Sequence, residues 1–344
     1  MRPLLRVLAA GLCFLAVRTS LAASVEVIRR EGDRRVDVRI DGQAFTAYIW
    51  PETLTKPALY PLLTAAGTPI TRGFPLDPRP GERTDHPHHV GLWLSFGDVN
   101  GVDFWNNSMA QPAEVQARMG RTRHGRVVEA TSGKDQGLLR VAAEWVMPDG
   151  AVVLDEDTTF VFRGTAGVRT IDRTTRLTAR DRSVHFADNK EGFLGLRVAR
   201  FLEQPSQEAV TLTDAAGRPT TVAALDNDGV TGLYRSSEGL AGDAVWGTRG
   251  HYVALTGRRG TEDVTVVLLD HPSNPGSPTY WHARGYGLFA ANNLGARALS
   301  NGHDSLDLRL APGASASFRW RVAILSRAFA AAEIDALWKE WALP

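Results

Sequence analysis

Three of the chain's nine histidines fall within four positions, in the run Asp85-His-Pro-His-His89. Neutral imidazole binds metal ions, moves protons near neutral pH and hydrogen-bonds hydroxyl groups. His86, His88 and His89 are therefore candidates both for catalytic bases and for ligands of one divalent metal ion. Asp85 or Asp98 would orient an imidazole by accepting from its second nitrogen. The spacing lacks the helical His-Glu-x-x-His pattern, and no cysteine stands beside it. On the residues alone, metal ligation, acid–base chemistry and simple satisfaction of loop backbone groups all stay open. The turn that follows sets out Asp98, Asn100 and Asp103 like a calcium loop, but Met109 stands where that loop needs glutamate.

Two further groups bear on the same chemistry. Asp270-His-Pro272 partly echoes the histidine run and leads into Tyr280–Phe289. Read as one strand, that segment puts Tyr280, His282, Arg284 and Tyr286 on one face. Such a face makes a poor core and a good lining for recognising hydroxyls or a carboxylate. The third group is Asp188–Phe193, where Lys190 and Glu191 would transfer protons if partly buried. The expected catalytic residues are thus His86, His88, His89, Lys190, Glu191 and His271. The expected substrate contacts are Trp93, Arg197, Trp246, Tyr280, His282, Arg284, Tyr286 and Asn292.

These residues sit in or beside strand-like runs. From Val90 onward, Val90, Leu92, Leu94 and Phe96 alternate with Gly91, Trp93 and Ser95. The first set is expected in the core and the second on the opposite face. Carried backward, the alternation groups His89 with Trp93 and puts His88 on the apolar side, unless Pro87 breaks the register. Leu194, Leu196 and Val198 likewise read as core, with Phe193, Gly195 and Arg197 opposite. Similar runs recur along the chain with turn signals between them, such as Asp41-Gly42. Only the C-terminus reads as a helix, over 327–341, with Ser326 as its cap and Ile334, Leu337, Trp338 and Trp341 on one face. The expected fold is all-β, a large antiparallel, supersandwich-like β-sandwich with a C-terminal helix.

The N-terminus reads as a signal peptide over residues 1–22. Arg2 and Arg6 precede an apolar stretch, and Ser20-Leu21-Ala22 supplies small residues for cleavage. A single domain over 23–344 and a periplasmic or secreted location follow as expectations. Cys13, the only cysteine, lies inside that segment. The rest of the chain then has no disulfide and no thiol chemistry, and its core alone must hold it. Cleavage would take three arginines from 39 basic residues and leave all 38 acidic ones. The near-neutral balance argues against nucleic acid as a partner, and no later segment is apolar enough for a membrane span. The expected partner is a small-molecule or oligosaccharide substrate.

At these motifs the chain resembles a family of secreted bacterial proteins described as PmoA-like and labelled methane oxygenase. The resemblance rests on Asp85–His89 with Gly91-Leu-Trp93, on Val99–Trp105, on Lys190-Glu-Gly192 with Arg197, and on Asp270–Pro275 through Trp281–Gly287. Val90 departs from it, standing where a basic residue is expected. The resemblance implies a role in carbohydrate metabolism. The reading that joins it to the residues is a secreted enzyme that cleaves or modifies a glycoside, including a keto-glycoside, by histidine-assisted elimination or hydrolysis. A non-catalytic sugar-binding sandwich is one alternative, and an oxygenase-related copper protein, as the label suggests, is another.

Overall fold

The computed structural model describes residues 23–343. The expected signal peptide, with Cys13, lies outside the described residues. Two antiparallel sheets make up most of the fold. The nine-stranded sheet runs Tyr280–Arg284, Leu288–Asn292, Gly192–Arg197, Leu92–Phe96, Ala58–Leu59, Gln43–Ile49, Arg35–Ile40, Ser24–Arg30 and Gly133–Lys134, in spatial order. The eight-stranded sheet runs Leu233–Ser236, Tyr252–Arg259, Glu262–Asp270, Ser315–Leu325, Val168–Ala179, Val152–Thr165, Gly137–Val146 and Arg121–Thr131. The expected all-β sandwich with a C-terminal helix is what the chain forms.

Alternation builds the layers. Leu92, Leu94, Phe96, Leu194 and Leu196 point inward from the first sheet. They meet Phe160, Phe162, Ile171, Phe318 and Val322 from the second, in one buried core. Phe193 joins them, against the expectation, and its ring packs on Phe186, Phe318 and Trp320. On the outer face of the second sheet, Tyr252, Ala254, Val267 and Leu269 are covered by Ile334 and Trp341. Those two residues belong to the helix Ala331–Ala342, which starts later than expected. Its cap is Ala330, with no side-chain bond, in place of Ser326.

Two local departures decide how the site is built. The strand of the histidine run begins only at Leu92, because Gly91 takes a positive φ of 59°. A Cβ there would lie 2.1 Å from the carbonyl oxygen of Leu59. The alternation therefore stops at Gly91, and Val90 packs outside the main core with Ala47, Ile49 and Tyr60. Next, Tyr280–Phe289 is a hairpin and not one strand. It turns at Gly285-Tyr286-Gly287, with Gly287 at φ 94°, so Tyr286 sits in the turn.

On the outer face of the first sheet, one row crosses five strands: Ala58, Trp93, Gly195, Ala290 and His282 are successive partners. Alanine and glycine keep this row low beside the indoles. A Cβ on Gly195 would lie 2.5 Å from the Trp93 ring and 2.9 Å from Trp105. Gly195→Val is expected to destabilise the protein by about 1–3 kcal/mol through overpacking. Urea unfolding measures that loss, and a changed near-ultraviolet tryptophan signal would show the indoles displaced.

Candidate functional site

The loop before Leu92 carries the three histidines and is shaped by a buried arginine. Arg72 donates to the carbonyl oxygens of Arg83, Asp85, His86 and His89, at 3.3, 2.8, 2.9 and 3.2 Å. It also donates to Asp85 Oδ1 at 2.7 Å. Arg197, equally buried, reaches the same oxygen at 2.5 Å and donates to His89 Nδ1 at 3.3 Å. His86 Nδ1 donates to the other carboxylate oxygen at 3.1 Å. Burial alone would raise the Asp85 pKa, but His86, Arg197 and Arg72 overcome it and hold the carboxyl well below its usual range. Burial and the charge of Arg197 pull the Arg72 guanidinium down to about 9.

These bonds set the rings in a column. Tyr286 lies parallel to His86 at 5.1 Å between ring centres. His86 stacks on His89 at 4.9 Å, His89 on Trp93 at 5.1 Å, and Trp105 tilts against Trp93 at 5.1 Å. The guanidinium carbon of Arg197 lies 4.9 Å from the Tyr286 ring centre. His88 stands across the column, edge-on to His89 at 4.2 Å.

Beside the column is a cavity of about 420 Å³. Trp93, His88, Lys56, Asn107 and Ser108 line it together with apolar Leu54, Phe74, Leu76, Val90 and Met109. Several buried polar atoms here have no partner within the protein. They are both nitrogens of His88, Trp93 Nε1, Asn107 Oδ1 and Ser108 Oγ. Native proteins leave few such groups, so a cluster of them marks a place where something else bonds. Burial, with Lys56 and His86 adding to it, lowers the His88 pKa to about 2. The ring is neutral at working pH and presents one donor and one acceptor. His89 is driven well below its usual value, chiefly by burial.

Lys56 is buried and donates to the carbonyl oxygens of Phe104, Trp105 and Asn107, at 3.3, 2.7 and 3.1 Å. It thereby holds the segment that carries Asn107 and Ser108. Burial lowers its pKa to about 7.

The structure brings His86, His88, His89, Trp93, Arg197 and Tyr286 together, with Arg284 5.7 Å from the Tyr286 ring centre. Trp246 joins only through Arg284, at 5.6 Å. His282 shares the row of Trp93, and burial brings its pKa down to about 4. Other expected residues do different work. Lys190 is exposed and paired with Glu191 on a turn. Asn292 holds that turn by donating to the carbonyls of Asn189 and Lys190. Tyr280 donates to Asp304 at 2.5 Å.

His271 is not at the cavity. It lies edge-on to Trp341 of the helix over the second sheet. Its neighbour Asp270 accepts from Asn274, Asn293 and the Thr279 amide. The echo motif is thus a tie between the two sheets. Among the described residues, no group of three or more His, Cys, Asp or Glu side chains is arranged to hold a metal ion. The expectation of a divalent ion at His86, His88 and His89 gains no support from this geometry, in which the rings stack or meet edge to face.

Sequence reasoning missed Lys56, Arg72, Asn107 and Ser108. Lys56 had a signal: it is one of four lysines in a chain that otherwise uses arginine for its cations. Arg72 had none, being one arginine among many.

Residues 35–339 match the model of a family of unknown function, DUF6807. The chain belongs to this family. That match corrects the PmoA-like resemblance, since the motifs belong to a chain of DUF6807. No curated protein matches the chain. Among solved structures, a galactose mutarotase-like protein from Clostridium acetobutylicum is 12% identical with a TM-score of 0.36. The alignment covers 90% of this chain and 100% of that one. A galactose mutarotase related enzyme from Lactobacillus acidophilus is 9% identical with a TM-score of 0.31, over 88% and 97% of the two chains. A GH36 α-galactosidase from Geobacillus stearothermophilus is 12% identical with a TM-score of 0.37, and the alignment covers 87% of this chain and 40% of that enzyme. Among the described residues, no helix is long and apolar enough to cross a membrane.

Lys56 yields a pH test. Its folded pKa is lowered, so the folded state releases this proton near pH 7 while the unfolded chain keeps it to about 10.4. Between those limits the unfolded state binds more protons, and stability rises with pH. The stability difference between wild type and Lys56→Met is therefore expected to grow in favour of wild type by up to about 1.4 kcal/mol per pH unit from pH 7 to 10. Chemical unfolding across that range checks it, and parallel curves would refute the lowered pKa.

Proposed function

We propose that this chain is a secreted carbohydrate-active enzyme that cleaves or modifies a small glycoside in the 420 Å³ cavity, whose lining includes His88, Trp93, Asn107 and Ser108. The observation that carries this reading is the set of unpartnered polar atoms on His88, Trp93, Asn107 and Ser108. A sugar is chemically matched to it. Its hydroxyls both donate and accept, so they can satisfy an imidazole, an indole N–H, an amide oxygen and a serine hydroxyl at once. Its C–H faces suit the apolar residues Leu76, Phe74 and Met109. The volume lies in the usual range for small-ligand sites, about 300–1,000 Å³.

The roles follow from the groups. Neutral His88 offers one donor and one acceptor to substrate hydroxyls. Asn107 and Ser108 orient hydroxyls, and Lys56 is a positioning residue that fixes the segment holding them. Arg197 and Asp85 hold His89 and His86 behind this surface.

The test is a turnover screen of mono- and disaccharide glycosides, native and oxidised to ketones, with calorimetric binding alongside. At least one saccharide is expected to bind and react. His88→Ala is expected to weaken binding of that saccharide about 10-fold, as for loss of one buried hydrogen bond, with an unchanged unfolding midpoint. Binding without turnover in any variant would assign a sugar-binding role instead, and no binding to wild type would end the reading.

A further inference from the structure

The polar residues of the cavity leave much of its lining unexplained. Those residues are His88, Trp93, Asn107 and Ser108. Much of the rest is apolar and contiguous. Leu54, Leu76 and Val90 all line the cavity and belong to one apolar cluster, built on Ala47, Ile49 and Tyr60. The positive φ of Gly91 puts Val90 there instead of in the main core. Val90 is buried in the cluster, whereas Leu54 and Leu76 are only partly covered. Phe74 stands two residues before Leu76 and lines the same space. Met109 lines it too and is 54% exposed, so it borders both cavity and solvent. A single exposed methionine is ordinary. This one shares its cavity with an apolar cluster.

The charge of the lining narrows the ligand. Lys56 and His88 are its only titratable residues. His88 is neutral, and Lys56 already donates to three backbone carbonyls. A carboxylate or phosphate brought into a buried site calls for a free cation, and none lines this cavity. A buried ammonium calls for an acid, and no Asp or Glu lines it either. The lining is matched by an uncharged ligand.

Polarity narrows it again. A saccharide ring carries oxygen on nearly every carbon. Setting those oxygens against leucine, valine and methionine strips their water and supplies no partner, which is unfavourable. Sugar C–H groups use part of this wall, but the whole of it is matched only by a group without hydroxyls. Burial of such a group stabilises in proportion to the apolar area removed from water. The unbranched, polarizable thioether of Met109 adapts to the shape of what it covers. We propose that the substrate is a neutral glycoside with an apolar aglycone. The sugar takes the polar part of the lining, and the aglycone lies against Leu54, Leu76 and Met109. This rests on the carbohydrate reading above and narrows its substrate class.

The probes are matched methyl and phenyl glycosides of glucose and galactose, with phenol as a control, and calorimetry reads the dissociation constants. For at least one sugar, wild type is expected to bind the phenyl glycoside about 10- to 100-fold more tightly than the methyl one, as for burial of one aromatic group. Met109→Ser and Leu76→Ser are each expected to shrink that ratio about three- to ten-fold. The ratio cancels any general loss of sugar affinity, and Met109 is exposed enough for its variant to keep the fold. Ser108→Ala is expected to weaken both glycosides alike and leave the ratio in place. If the glycosides bind with a wild-type ratio near one, or with a ratio that both apolar variants leave unchanged, this inference is overturned and the carbohydrate reading stands. Phenol binding as tightly as its glycosides, or failure of every glycoside to bind, would sink both.

Discussion

Asp85 carries one carboxylate oxygen into contact with two buried guanidiniums, and the rest of the site is arranged around that contact. Burial and, after it, the charge of Arg197 lower the pKa of Arg72. The shared carboxylate makes their closeness tolerable. Breaking a buried pair of this kind typically costs about 3–5 kcal/mol, because it strands a charge away from water. Each arginine also does a second task. Arg72 gathers four backbone carbonyls and so dictates the course of residues 83–89. Arg197 decides which nitrogen of His89 holds the proton. Loop shape and hydrogen-bond polarity thus depend on one acid.

The site has two kinds of wall. One is the ring column, stiffened by stacking from Tyr286 to Trp105. The other is loop: the segment holding Lys56, and the Asn107-Ser108 stretch that Lys56 ties to it through three carbonyls. The column holds buried N–H groups in fixed places. The loops supply adaptable polar atoms and the apolar residues that exclude water. One wall is thus sheet and the other loop, the part of a fold where side chains vary most freely.

Alternation made the sandwich legible, because period-two burial of Leu92, Leu94 and Phe96, or of Phe318, Trp320 and Val322, is written directly in residue type. It also correctly grouped His89 with Trp93. It failed where the backbone leaves the pleat. Gly91 ends the strand early, which moves Val90 and His88 to the outer side, and the Gly285–Gly287 turn folds Tyr286 back over Arg197. Long-range partners were not legible either. Nothing local distinguishes Arg72 from the exposed arginines, and the echo of Asp85-His86-Pro87 in Asp270-His271-Pro272 is a likeness of letters. One segment turns about a pair of buried arginines; the other ties two sheets through Asn274 and Asn293.

The row Ala58, Trp93, Gly195, Ala290 and His282 is a consequence of strand register, and so is the core beneath it. A slip of one residue in any of these strands would exchange the two faces and destroy both together. Selection for folding therefore guards the floor of the site at no separate expense. Descendants of this sequence that come to handle new ligands have little freedom in that floor. Their inheritance can diverge in the loops that hold Leu54, Leu76 and Met109, where a change of side chain alters the shape of the cavity and leaves the pairing of the strands untouched.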